Sequence, residues 1–203
     1  ASEVYGMTYA EARRDLRFWL LLLSVMIITG CCASVVQQLA SYVSDIGYSY
    51  EVSAMVSSCS LGLMAVGKLL TGRMYDKLGV RTSTLICMAC VIGGIGILSM
   101  AASGVAFIGV FLVLFGVGCA LTTVAYPILT TALFGNRDYS SIYGIVNVAN
   151  SVGTAVGSPI AAAIFDSQGS YVPAWYLAAA LLCVDFVVLL VMFRKKPAAE
   201  AVH

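Results

Sequence analysis

The sequence predicts an all-α, polytopic membrane protein of six transmembrane helices. Three observations predict it: an apolar composition, six apolar runs of spanning length, and basic residues confined to alternate gaps between them. Of the 203 residues, 61% are hydrophobic and only 10% are charged, whereas a soluble domain carries about a quarter of its residues as charge. Mean hydropathy is +0.96. The net charge of +1 is clustered rather than spread, and it argues against nucleic acid as a partner.

A bilayer core of about 30 Å is crossed by roughly 20 apolar residues in helical form. Six segments meet this length: Phe18 to Val43, Val52 to Thr71, Thr82 to Ala102, Val105 to Leu133, Ser140 to Phe165 and Ala174 to Phe193. The third and fourth are joined by a Ser103-Gly104 turn. Residues 1–17 form an expected interfacial segment, 18–193 the six-helix bundle, and 194–203 a tail. Within the first segment, Met7 to Phe18 (MTYAEARRDLRF) reads as a short interfacial helix, with Phe18 and Trp19 as headgroup anchors. Because the chain opens on Ala1, it reads as a piece of a longer protein.

Lys and Arg in short loops are retained on the cytoplasmic side. Arg13, Arg14 and Arg17 precede the first helix, and Arg73, Lys77 and Arg81 fill the second gap. Arg137 lies in the fourth gap, and Arg194, Lys195 and Lys196 follow the sixth helix. The first, third and fifth gaps hold only the acidic Asp45, Glu51 and Asp166. Both termini are therefore expected in the cytoplasm, at the cell membrane.

The seven cysteines, Cys31, Cys32, Cys59, Cys87, Cys90, Cys119 and Cys183, all fall in apolar stretches, so no disulfide framework is implied. Cys87 and Cys90 form a C-x-x-C with no histidine or second pair nearby, and they read as small buried hydrophobes. No metal site and no cofactor is expected. A nucleotide-binding motif is also absent, so neither ATP hydrolysis nor another enzyme activity is predicted.

The second gap reads Gly72-Arg73-Met74-Tyr75-Asp76-Lys77-Leu78-Gly79-Val80-Arg81. A carboxylate among three cations, with glycines allowing close backbone approach, suits a latch between helix ends. It equally suits a solvated turn obeying the positive-inside rule. The pattern G-x-x-x-D-[RK]-x-G-x-[RK] resembles the loop signature of the major facilitator superfamily, found between the second and third helices of each six-helix half. PILTTALFGNRDYSSIYGIVNVANSVGTAVGSP, AAAIFDSQGSY and QQLASYVSDIGYS are similar to the carboxy-terminal half of its oxalate:formate and monocarboxylate porter branch. Val80 departs from the signature, which usually has a base there. The resemblance covers essentially the whole chain but half of a twelve-helix architecture. It implies that helices one, two, four and five line a cavity while three and six brace it.

Polar faces can be read beside that resemblance. On helix five, Asn147, Ser151, Thr154 and Ser158 recur at spacings that keep them on one side, and Gly153 and Gly157, spaced as G-x-x-x-G, would admit a close helix. Helix four carries Cys119, Thr123, Tyr126 and Thr130, with Pro127 freeing a carbonyl. Helix one offers Gly30, Ser34, Gln37 and Ser41, and helix two offers Ser53, Ser57, Met64 and Lys68. From these, Gln37, Ser41, Ser57, Thr123, Tyr126, Asn147 and Ser151 are the candidate substrate contacts. Lys68, Gly72, Arg73, Asp76, Lys77, Gly79 and Arg81 form the candidate gating loop, with Asp76 expected near Ser140 at the start of helix five. A single Ser or Thr, however, often bonds only its own helix. Lys68 lies close enough to the boundary to snorkel or to meet an anion. Asp185, near the middle of helix six, must be neutral, paired or facing water, and it is a candidate for proton coupling.

The function this implies is secondary active transport of a small solute by alternating access, the resemblance pointing to a small organic anion such as a mono- or dicarboxylate. An Arg usual in the equivalent of helix two, or a Lys in helix five, is absent, since those places read Met55 to Ser60 and Gly144 to Asn150. A drug or metabolite exporter of the same superfamily is the first alternative, given the spacing of Gly144, Gly153 and Gly157 ahead of Ser158-Pro159. A non-transporting six-helix scaffold is the second. Expected partners are the amino-terminal half of the same transporter or a second copy, the lipid bilayer, and a small-molecule substrate with or without a proton.

Overall fold

The structure is a computed structural model that describes residues 5–193. The tail at 194–203, with its three basic residues, lies outside the described residues. A one-turn helix α1 (Tyr9–Ala12) leads into α2 (Leu16–Asp45), α3 (Tyr50–Leu98), a 3-10 turn (Ala101–Ser103), α4 (Val105–Cys119), a π turn (Leu121–Ala125), α5 (Tyr126–Phe134), α6 (Tyr139–Gln168) and α7 (Val172–Met192).

Helix α3 is the first departure from expectation. Its 49 residues would extend about 74 Å if straight, more than twice a bilayer core. Gly79 breaks it, with φ 78° and ψ 167°, a conformation open to glycine because it lacks a Cβ. The two halves fold back on one another. Tyr75 and Thr84 share a hydroxyl hydrogen bond at 2.7 Å, and Thr71 Oγ1 meets Cys87 Sγ at 3.8 Å, whereas a straight helix would separate Thr71 and Cys87 by about 24 Å. Among the described residues five continuous stretches are long and apolar enough to span a membrane, and the reversal at Gly79 makes six crossings of them. The expected loop from Gly72 to Arg81 is thereby corrected. Both helices run through it, and one glycine makes the turn.

Small residues set the helix spacing. A Cβ at Gly118 would lie 2.7 Å from the Val91 amide nitrogen, and one at Gly116 would lie 2.9 Å from Leu63 Cβ, so α4 is seated against both halves of α3. A Cβ at Gly153 would lie 2.6 Å from the Met26 carbonyl oxygen, and one at Gly157 would collide with the Gly30 backbone. The G-x-x-x-G of α6 thus receives α2, as small-residue packing in lipid requires. Phe111, Phe115, Val91, Ile95, Met88 and Leu98 fill the wall between α3 and α4. At one end of the bundle, Tyr42, Tyr171 and Trp175 pack face and edge within 6.2 Å.

The segment before α2 differs from the expected anchor. Thr8 and Glu11 form a reciprocal capping box, and their hydrogen bonds hold the Glu11 carboxyl below its ordinary range, the Thr8 backbone contributing most. Phe18 is fully buried, edge-on to Phe134 at 6.0 Å, so it belongs to the core. Trp19 is exposed, and its indole N–H donates to the Arg13 carbonyl at 3.0 Å. Residues 5–9 clasp the α5–α6 connection. Met7 N donates to the Phe134 carbonyl at 2.8 Å, Asn136 N to the Tyr5 carbonyl at 2.9 Å, and Tyr9 N to Asp138 Oδ2 at 2.8 Å. Gly6 and Gly135 interlock there with no room for a Cβ on either.

Candidate functional site

Four helices, α2, α3, α4 and α6, and the π turn converge on one cavity. Pro127 lacks an N–H, and its ring crowds the carbonyl four residues back, so the helix widens into a π turn across Leu121–Ala125 immediately before it. Widening turns Thr122 and Thr123 toward α2 and α6. They line a cavity of about 300 Å³ together with Thr29, Cys32 and Gln37 of α2, Met64 of α3, and Asn150 and Thr154 of α6.

A buried hydrogen-bond chain forms its floor. Thr29 donates to Asn150 Oδ1 at 2.8 Å, and Thr29 Oγ1 lies 2.8 Å from the Tyr126 phenol. Thr29 has one hydroxyl proton and gives it to Asn150, so the phenol donates to Thr29. Each group is thereby fixed by another helix, α2 to α6 and α2 to α5. Toward the aromatic end, Gln38 Nε2 donates to Ser158 at 3.1 Å, and Tyr171 donates to Gln38 Oε1 at 3.2 Å.

Of the residues singled out from sequence, Gln37 and Thr123 line this cavity, and Tyr126 is buried behind it. Asn147 and Ser151 are exposed on α6, with Ser151 bonded to the Asn147 carbonyl at 3.0 Å. Ser57 bonds the Ser53 carbonyl within its own helix. Ser41 is exposed on the last turns of α2. Lys68 is also exposed, and its ammonium is within electrostatic reach of the Cys119 thiol at the cavity wall. Thr29, Gln38 and Asn150 were missed. Asn150 had a signal, since it is a mid-helix amide one turn ahead of Thr154.

The reversal in the middle of α3 carries Arg73, Asp76, Lys77 and Arg81, all exposed. Among the described residues Asp76 makes no ion pair or hydrogen bond, while Asp15 and Arg17 form one ion pair at 2.6 Å. At the start of α6 the Tyr9 N–H of the amino segment donates to Asp138. Arg73 and Lys77 instead border a shallow apolar hollow with Leu70, Met74 and Val117. Asp185 faces inward on α7 and is fully buried. No group of three or more His, Cys, Asp or Glu residues that could hold a metal occurs among the described residues, and all seven cysteines are free.

A model of the Major Facilitator Superfamily matches residues 21–203. Monocarboxylate transporter 12 of Homo sapiens is 23% identical over 175 residues, covering 85% of this chain and 34% of the relative. The Rattus norvegicus protein of the same name is also 23% identical, with 36% of its length covered. This chain thus spans about a third of the curated relatives it matches. Among solved structures, a mutant of the peptide transporter POT in complex with sulfate overlays with a TM-score of 0.77 at 17% identity, over 89% of this chain and 38% of that one. The transporter FucP in its outward conformation gives 0.71 at 14% identity, over 91% and 45%.

Proposed function

We propose, from the premise that this chain belongs to the Major Facilitator Superfamily, that it is the carboxy-terminal membrane half of a secondary transporter that moves a small organic anion by alternating access. The observation that carries the reading is the cavity itself. Polar groups from α2, α6 and the π turn meet in one hollow of about 300 Å³, and a midplane site needs polar groups from several helices aimed at one point.

Gln37, Thr123, Asn150 and Thr154 supply neutral donors and acceptors, and Lys68 supplies the positive charge. A carboxylate entering between them would be held by a charge-assisted bond, roughly twice as strong as a neutral one. The amino-terminal half of the same transporter, or a second copy, would close the open side of the cavity. The end bearing Arg73, Lys77 and Arg81 would face the cytoplasm of a cell membrane under the positive-inside rule. Asp76 and its basic neighbours would then gate one access state against that second half.

Uptake of radiolabelled mono- and dicarboxylates into vesicles holding the full-length protein tests this. Uptake that saturates, with Lys68→Gln raising KM by about tenfold or more as a charged contact is lost, supports it. Transport of uncharged apolar solutes alone would move the reading to an exporter of the same superfamily. No transport of either class, from protein that is inserted and folded, would leave a scaffold.

A further inference from the structure

Asp185 lies mid-way along α7, fully buried. Its Oδ2 accepts the Ser24 hydroxyl of α2 at 2.7 Å, and its Oδ1 has no hydrogen-bond partner. The titratable groups within electrostatic reach are the Cys31 thiol of α2 and the Tyr126 phenol of α5. The half of α3 beyond Gly79 brings Cys87 and Cys90, neither of which acts on it. Cys183 of its own helix is exposed. No lysine, arginine or histidine pairs with it among the described residues.

An ionised carboxylate with one neutral donor and no cation is strongly disfavoured in a bilayer interior. A structural carboxylate would normally have both oxygens satisfied, and here the second faces no donor. The site also adjoins the cavity floor. The residue after Ser24 is Val25, whose carbonyl lies 3.5 Å from the Tyr126 phenol, and that phenol bonds Thr29.

We propose that Asp185 is a proton-binding site, a carboxyl kept neutral while α7 is packed on Ser24 and able to release its proton when those helices part. On release the O–H bond at Oδ1 breaks, its electron pair stays on the carboxylate, and the proton passes to water reaching the gap; rebinding reverses each step. The neutral carboxyl is a property of this buried site alone. Its release in the working cycle rests on the transport reading above.

The full-length protein in lipid, studied by infrared spectroscopy at neutral pH, separates the two parts. The expected result is a protonated carboxyl C=O band that shifts in deuterium oxide and is lost in Asp185→Asn, a variant that keeps an acceptor for Ser24. An unchanged carboxyl region in that variant would overturn the proposal. In the uptake assay Asp185→Asn should flatten the pH profile. Ser24→Ala, which removes the one bond to the charged form, should move the midpoint to higher pH by roughly half a unit to one unit. A wild-type profile in both variants would overturn the release step. Should Asp185→Asn fail to insert, the Ser24→Ala shift decides. Absence of all uptake would sink the transport reading, while the infrared band would still decide the state of Asp185.

Discussion

Helices α4 and α6 make opposite uses of exposure. Through its most apolar window, the span Val105–Phe134 is 44% buried, whereas α6 is only 22% buried. The outward residues of α4 are Val105, Val110 and Val113, which suit lipid. Those of α6 are mixed, with Asn147, Ser151 and Thr154 beside Val148, Val152, Val156 and Ile160. Among the described spans α6 is both the least apolar and the least buried, and it carries a polar strip beside its apolar one. Under the transport reading that polar strip would meet water or another protein, and the glycine seam fixes the helix to α2.

The largest expected effect lies in that seam. Gly157→Val would drive a side chain into the Gly30 backbone, and backbone cannot yield as a side-chain tip can. The expected cost is about 3 kcal/mol or more, read as loss of folded protein in a thermal melt in detergent. Gly144→Ala on the same helix meets open space and should be neutral or stabilise by about 0.5–1 kcal/mol. Equal effects from the two would mean that the seam does not position α6.

The cavity floor comes next in size. Thr29→Val removes the donor to the half-buried Asn150 and leaves the buried Tyr126 phenol only the Val25 carbonyl at 3.5 Å, at a cost of about 1–3 kcal/mol. Ser151→Ala deletes a hydroxyl that bonds its own helix and should change stability by less than about 0.5 kcal/mol. Denaturation midpoints of the two variants in one detergent check this ordering.

A smaller effect concerns the amino-terminal clasp. The folded-state pKa of Glu11 lies below its ordinary value of 4.5, so its capping contribution is fully present above that value. It is lost as pH falls through the lowered folded value. Hydrogen exchange at the amides of residues 8–12 should therefore accelerate on acidification below about pH 4.5 relative to residues of α7. Glu11→Gln should remove most of that pH dependence.

Six apolar runs and one-sided basic gaps were enough to read the crossings, because hydrocarbon forces every backbone group into a helix. Gly153 and Gly157 were legible for a related reason, since small residues four apart leave a groove that only a neighbour can fill. The turn at Gly79 was hidden. Charges from Arg73 to Arg81 look like an aqueous loop, yet helix runs up to the glycine on both sides. The polar floor was only half legible, since periodicity shows that a face is polar but not which of its members meets a partner on another helix. Tyr126 was picked out, while Thr29 and Asn150, its bonded neighbours, were not. Ser24 could not be paired with Asp185 from sequence, because 161 residues separate them and no spacing rule spans that distance.

The central claim is that the exposed polar face of α6 borders a substrate path rather than lipid. It is tested most directly by thiol accessibility in the full-length protein, in its native membrane and on a background with all native cysteines replaced. Cysteines introduced as Asn147→Cys, Ser151→Cys and Thr154→Cys should react with a membrane-impermeant thiol reagent, and transported substrate should protect Thr154→Cys, while Val110→Cys and Val184→Cys stay unreactive. If the three α6 positions are as unreactive as Val184→Cys, that face lies in lipid or in a dry contact, and the cavity assignment is contradicted.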